Sequence, residues 1–184
     1  LAKTTIFAEY LFLYLAVYGS IPNFGQVDYA LYLSDSIENG VKKMRLRIER
    51  RCENSEFLQR YIKESRFTDI RWYFQNADGK EFVVTGHGAK TGVRGTVELN
   101  TRPQLAVLDD LLGDEDARSA TIIENVENTV YSAIDYALHP NKRKVIWSGT
   151  PFNAKDPLYK AIESGVWYVN VYPVCERFPC SKEE

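Results

Sequence analysis

Two short apolar runs end in residues suited to phosphate and metal chemistry. Leu105-Ala106-Val107-Leu108 runs into the paired acids Asp109-Asp110, and Lys144-Val145-Ile146-Trp147 runs into Ser148-Gly149-Thr150-Pro151. A carboxylate at a buried strand end can hold Mg2+, directly or through water, and a second acid beside it can orient a water or take its proton. Hydroxyls at a neighbouring strand end can touch a terminal phosphate. Each run also has a bland reading: a polar strand end capping a loop, or a Ser-Gly-Thr-Pro turn whose hydroxyls bond local backbone. At the other end of the chain, Leu1-Ala2-Lys3-Thr4-Thr5 heads a long apolar run. A lysine there can reach the β- and γ-phosphates, the next hydroxyl can hold Mg2+, and helix-start amides attract anions. Ala2, Lys3, Thr4 and Thr5 are therefore candidate ATP contacts, with Thr4 and Asp109 as metal ligands, Asp110 as the catalytic acid and Ser148, Gly149 and Thr150 as a coupling segment.

These residues need a frame that brings them together. Between Asp110 and Val145 lie 34 residues holding an amphipathic helix-length stretch, enough for a right-handed crossover between parallel strands. In open parallel sheets ligands bind at the carboxyl ends of the strands. The spacing predicts a helix over 6–18, a strand over 28–33 ending in Ser34-Asp35-Ser36, and a long helix over 37–64 with a break near Asn54-Ser55. A hairpin follows around Asp78-Gly79 (70–74 with 81–85), then the 105–108 strand and a helix from Ser119 or Thr121 to Leu138. In that helix Ile122, Ile123, Val126, Val130, Ile134 and Leu138 face inward. The 144–147 strand, a short helix over 157–164 and a last strand over 167–171 complete an α/β pattern.

Glu81-Phe82-Val83-Val84-Thr85 followed by Gly86-His87-Gly88-Ala89-Lys90-Thr91 offers a second phosphate-loop candidate. No helix pattern follows its Lys-Thr, so phosphates there would lack the dipole and amides that hold them. His87 and His139 read as bystanders.

At 184 residues, 45% hydrophobic and 26% charged, the chain reads as one globular domain. A net charge of −2 gives no global nucleic-acid signature, so such a surface would be a local patch. Lys42, Lys43, Arg45, Arg47, Arg50 and Arg51 form such a patch. They can follow a DNA backbone, with Lys42, Lys43, Arg45 and Arg47 the chosen contacts, or salt-bridge to Glu38, Glu49 and Glu53 on a solvated face. Cys52, Cys175 and Cys180 are too few for a disulfide framework. The apolar run 6–18 is shorter than the roughly 18 residues of a membrane span and is broken by Glu9, so it reads as a buried helix.

In this order and spacing the segments resemble the ATPase domain of the large terminase subunit of tailed bacteriophages, a viral DNA-packaging motor. Leu1 to Thr5 is similar to the end of the family's Walker A loop, and Gly92-Val93-Arg94-Gly95-Thr96 to its Arg-Gly segment. Leu105 to Asp110 resembles Walker B, Ser148 to Pro151 the coupling motif, and Gly165-Val166-Trp167-Tyr168 the region after it. The resemblance implies a P-loop NTPase-like, mostly parallel sheet with helices on both faces and a β-hairpin insertion. It implies ATP and Mg2+ as cofactors, Arg94 as a catalytic arginine with Arg118 and Arg143 as alternatives, and double-stranded DNA as the translocated partner. A portal protein, a small terminase subunit and a homo-oligomeric ring on the procapsid are further implied, in the host-cell cytoplasm and with no membrane.

The departures from that pattern also set expectations. The family's catalytic pair is usually Asp-Glu, so Asp114 or Glu115 competes with Asp110 for the acid's role. The front of Walker A and the strand before it are absent, and Leu1 reads as a cut edge. That strand is expected beside the 105–108 strand, so its loss should leave a gap or an unpaired edge and a chain that associates and hydrolyses ATP poorly alone. The family's nuclease domain has no acidic cluster here to match it. A helicase-like P-loop ATPase and a non-catalytic α/β binding module are the alternative functions.

Overall fold

The computed structural model describes residues 2–90, 93 and 97–172. A π-wound segment, Thr5–Tyr10, continues without a break into helix α1, Leu11–Tyr18. Phe12, Leu13, Leu15, Ala16 and Val17 are all buried, so the helix is enclosed on most sides, as its run of apolar residues requires. It stops at Gly19, whose φ of 68° closes the last turn with an N–H bond to Leu15 O. A two-stranded ribbon, β1 (Ser20–Ile21) with β2 (Gly25–Gln26), leads to β3 (Tyr29–Ser34), buried along its whole length.

Ser36 then caps a π-wound turn (Ile37–Val41) that opens helix α2 (Lys42–Asn54). Ser55 ends α2 in an extended conformation and caps α3 (Glu56–Tyr61), placing the break where Asn54-Ser55 suggests. The predicted helix to residue 64 stops short, however. Ile62 turns extended and opens a strand, β4 (Ile62–Phe67), because residues 62–67 find a ladder partner in β5 (Arg71–Asn76). The expected hairpin forms between β5 and β6 (Glu81–Gly88), with Asn76 Oδ1 accepting from the Asp78 and Lys80 amides across the turn. It is not an insertion, because β6 also pairs parallel to β3 in the main sheet. Gly86 and Gly88 therefore belong to a strand and not to a phosphate loop.

After β7 (Leu105–Asp109), Ser119 caps helix α4 (Ala120–Asn128), which runs through a π-wound turn (Thr129–Ala133) into α5 (Ile134–Ala137). Ile123, Val126, Val130 and Leu138 are buried and Ile122 is partly so, which matches the expected inner stripe; the Ile134 side chain lies outside the description. Then come β8 (Lys144–Ser148) and helix α6 (Pro157–Glu163). Residues 167–171 form no strand. Trp167 packs edge-on against Trp147 with centroids 5.7 Å apart, while Tyr168, Val169 and Val171 are exposed and, among the described residues, have no ladder partner.

The protein is thus α/β, with a mixed, mostly parallel six-stranded sheet in the order β4-β5-β6-β3-β7-β8. The strands β6, β3, β7 and β8 are mutually parallel, and β5 and β4 extend the sheet antiparallel. One apolar cluster joins α1 and α2 to Ala30, Tyr32, Trp72, Val84 and Val107, and a second joins α4 and its continuation to Leu31, Leu33, Ala106 and Leu108. Both faces are therefore covered by helices, as buried parallel strands demand. Of the expected gap or unpaired edge, no gap opens beside β7, which β3 and β8 flank on its two sides; among the described residues the outer edge of β8 has no partner strand.

Val41, in the turn that opens α2, packs tightly on β6 at Gly86. A Cβ added at Gly86 would lie 2.1 Å from Val41 Cγ1 and 3.2 Å from its Cβ. Gly86→Ala should cost about 1–3 kcal/mol through overpacking, and adding Val41→Ala should recover part of that loss. Denaturant unfolding of the two single variants and the double variant measures this; simple additivity would show that the contact is not limiting.

Candidate active site

The parallel register sets three strand ends side by side. Ser34 pairs with Asp109, and Asp109 with Ser148. Along β7, Leu105 and Val107 face the α1 cluster, so strand alternation sends Asp109 to the same face. The N-terminal helix begins above that point and delivers its first residues onto it.

Asp109 is only 3% exposed, and three hydroxyls converge on its carboxylate. Thr4 donates to Oδ1 at 2.9 Å, Ser148 to Oδ1 at 2.8 Å and Tyr32 to Oδ2 at 3.1 Å. Asp110 stands beside it, half exposed, and its Oδ1 lies 2.9 Å from Lys3 Nζ. Lys3 Nζ also donates to Thr150 Oγ1 at 2.8 Å. The Asp110 N–H bonds Ser148 O at 3.0 Å, although the residue has a left-handed φ of 45°. That conformation is tolerated better by Asp than by most side chains.

Lys3, Thr4, Asp109, Asp110, Ser148 and Thr150 therefore meet in one place, although Lys3 and Thr150 are 147 positions apart. Gly149 allows the close approach of this loop to α6: a Cβ there would fall 2.8 Å from Leu158 Cδ2. Buried Asp156 fixes the same loop, accepting from Leu158 N at 2.8 Å as the cap of α6 and from Phe152 N at 3.2 Å. Ala2 and Thr5 flank the contact residues, whereas among the described residues it is Lys3 and Thr4 whose side chains bond the cluster. Arg94 lies outside the described residues, as do Cys175 and Cys180. Asp114 pairs with Arg118 in an exposed loop at 3.6 Å and Glu115 is exposed, so of the three candidate acids it is Asp110 that meets Lys3.

Tyr32 was not singled out from sequence. Its position on a buried strand is legible, but its pairing with Asp109 depends on the β3–β7 register, which strand patterning does not specify. Burial and the Asp109 charge both push its phenol pKa up, so it is a hydrogen-bond donor throughout the working pH range.

The basic run on α2 divides. Lys42 pairs with Glu38 at 2.7 Å and Asp69 at 3.2 Å, Arg45 with Glu49 at 2.7 Å, and Arg51 with buried Glu9 at 2.5 Å. Lys43, Arg47 and Arg50 are exposed and, among the described residues, form no ion pair. His139 Nδ1 accepts two local amides, and His87 bonds Thr85 Oγ1, with burial lowering its pKa. Burial, reinforced by Glu49 and Glu53, pushes the Cys52 thiol up to about 11, which makes it a poor nucleophile.

The oxygen-only donor set of Thr4 and Asp109 suits Mg2+, which takes few protein ligands and completes its shell with water and phosphate oxygens. Among the described residues no cluster of three His, Cys, Asp or Glu side chains stands at metal spacing. No protein-family model matches this sequence, and no curated protein matches it.

Burial is the main cause raising the Asp109 pKa, with the Asp110 charge adding to it, against the lowering by its three hydroxyl donors. A raised native pKa means that the folded state binds the proton more tightly than the unfolded one. Stability from this group is then full below the unfolded pKa near 3.8 and falls as pH rises through the native value. Asp109→Asn should therefore match or exceed the parent's melting temperature at neutral pH, and the difference should shrink as pH falls toward 4. Melting curves across that range would expose the opposite sign if the carboxylate stabilises the fold.

Proposed function

We propose that the site binds Mg2+–ATP and hydrolyses it, in a domain of the DNA-packaging motor class. One observation carries the nucleotide part: Lys3 and Thr4, at a helix start, reach the two acids and the threonine at the carboxyl ends of β7 and β8. A parallel sheet presents its ligands at that end. The P-loop reading of the fold is consistent with this placement and with the mostly parallel sheet. The packaging part rests on the ordered resemblance of the sequence segments, and so do double-stranded DNA, the portal and a ring assembly as partners.

Thr4 Oγ1 and Asp109 would hold Mg2+, which neutralises charge on the β- and γ-phosphates. Lys3 supplies a point charge for the same phosphates. In the structure that charge is divided between Asp110 and Thr150. Phosphate competing for Lys3 would loosen its pairing with Asp110 and leave that carboxylate available to orient a water and accept its proton. Ser148 and Thr150 lie on the loop between β8 and α6, so a change at the terminal phosphate would bear directly on that loop.

Lys3→Ala should weaken Mg2+–ATP binding at least about tenfold in isothermal titration, the loss of one charge-assisted contact. Asp110→Asn should keep binding and lower turnover by about 10²–10⁴-fold. Binding that is absent in the parent chain would overturn the reading in favour of a non-catalytic module, and equal turnover in Asp110→Asn would remove that residue from the chemistry.

A further inference from the structure

Helix α2 and the N-terminal helix lie side by side and run the same way. Thr4 starts the first helix at the carboxyl ends of β7 and β8. At the other end of α1, Val17 O accepts from Asn76 Nδ2 at 2.9 Å, at the far end of the sheet. Helix α2 likewise starts after the carboxyl end of β3, where Ser34 adjoins Asp109. The Arg51–Glu9 ion pair, with Arg51 also 5.0 Å from the Tyr10 ring centre, fixes the register between the two helices. One turn back from Glu9 is Thr5, next to Thr4, and one turn back from Arg51 is Arg47. Arg47 is thus level with the start of the first helix, on the β3 flank of Asp109, opposite the flank occupied by Ser148 and Thr150.

Resting on the nucleotide reading above, we propose that Arg47 is a second phosphate-binding cation of this site, contacting the terminal phosphate alongside Lys3. Arg47 is exposed and, among the described residues, has no carboxylate partner, unlike Lys42, Arg45 and Arg51 on the same helix. Its charge is felt at the Tyr32 hydroxyl, the group that bonds Asp109 Oδ2. A planar guanidinium with several donors suits a phosphate with two or three free oxygens. The terminal phosphate is the one indicated, because Asp109 and the adjacent Asp110 mark the reacting end. Arg47 is thereby assigned to the nucleotide and withdrawn from the DNA-facing set.

The test is the affinity of the chain for ATP and for ADP, each with Mg2+, in the parent and in Arg47→Ala, Arg47→Lys, Arg50→Ala and Lys3→Ala. Arg47→Ala should weaken ATP about tenfold or more and ADP less than about twofold, with Arg47→Lys intermediate and Arg50→Ala at parental affinity. Matched melting temperatures for Arg47→Ala and Arg50→Ala would confirm that both variants are folded. If Lys3→Ala loses ATP while Arg47→Ala behaves as Arg50→Ala, Arg47 is no ligand and the nucleotide reading stands. If Arg47→Ala weakens ATP and ADP equally, the contact is not to the terminal phosphate. If the parent binds neither nucleotide, both inferences fall together.

Discussion

A buried carboxylate at the end of a parallel strand is costly to leave ionised, and the site is organised around that cost. Asp109 sits at the meeting point of β3, β7, β8 and the N-terminal helix, and each of its neighbours contributes a hydroxyl: Tyr32, Ser148 and Thr4. Hydroxyls offset part of the desolvation penalty without a formal countercharge. The positive charge of Lys3 is placed one residue further out, on the half-exposed Asp110. A salt bridge to Asp109 itself would need two desolvated ions. The arrangement keeps one ion buried and leaves the other pair in contact with water, where pairing is easier to exchange.

Holding Thr4 on Asp109 requires that the helix behind it cannot shift. Phe12 makes edge contacts with Tyr32 and Trp72, at 5.8 Å and 6.0 Å between ring centres, and packs near Phe82. Tyr32 therefore belongs to both systems: its ring is wedged in the aromatic core under α1, and its hydroxyl reaches the acid. Glu9 adds a lateral tie, because a carboxylate that is 3% exposed is matched by Arg51 from α2. Packing along α1 positions the helix start, and the ion pair sets its rotation against α2. The geometry of Lys3 and Thr4 is thus a consequence of contacts made about 8–12 Å further along the helix, roughly one and a half to two turns away.

Much of this was legible in the sequence because it depends on local patterns. Leu105–Asp109 and Lys144–Ser148 are short apolar runs of strand length, and their polar ends fall where the strands end. Ser119 and Ser55 are capping residues at the positions where helices begin. The failures occur where tertiary pairing decides. Residues 62–64 carry Lys63 and Glu64 and read as the tail of a charged helix; an exposed edge strand, Ile62–Phe67, with an antiparallel neighbour accepts the same residues. Residues 167–171 have strand-like composition, but composition without a ladder partner makes no strand. The charged run on α2 hides a division that only three-dimensional neighbours reveal, since Asp69 and Glu9 come from distant segments.

The Asp-Asp pair makes sense once the backbone at the second acid is considered. Asp110 has a φ of 45°, and its amide still bonds Ser148 O, so the chain turns sharply while continuing the β7–β8 ladder by one bond. Left-handed backbone is least costly for glycine, Asn and Asp, whose short polar side chains tolerate it. A glutamate here would carry both the conformational cost and a longer reach, whereas the shorter acid already meets Lys3 Nζ at 2.9 Å. One methylene fewer is therefore matched to a turn that brings the backbone itself toward the lysine. The loop acids Asp114 and Glu115 stand apart from this contact, and the acid that meets Lys3 is the residue directly after the buried one.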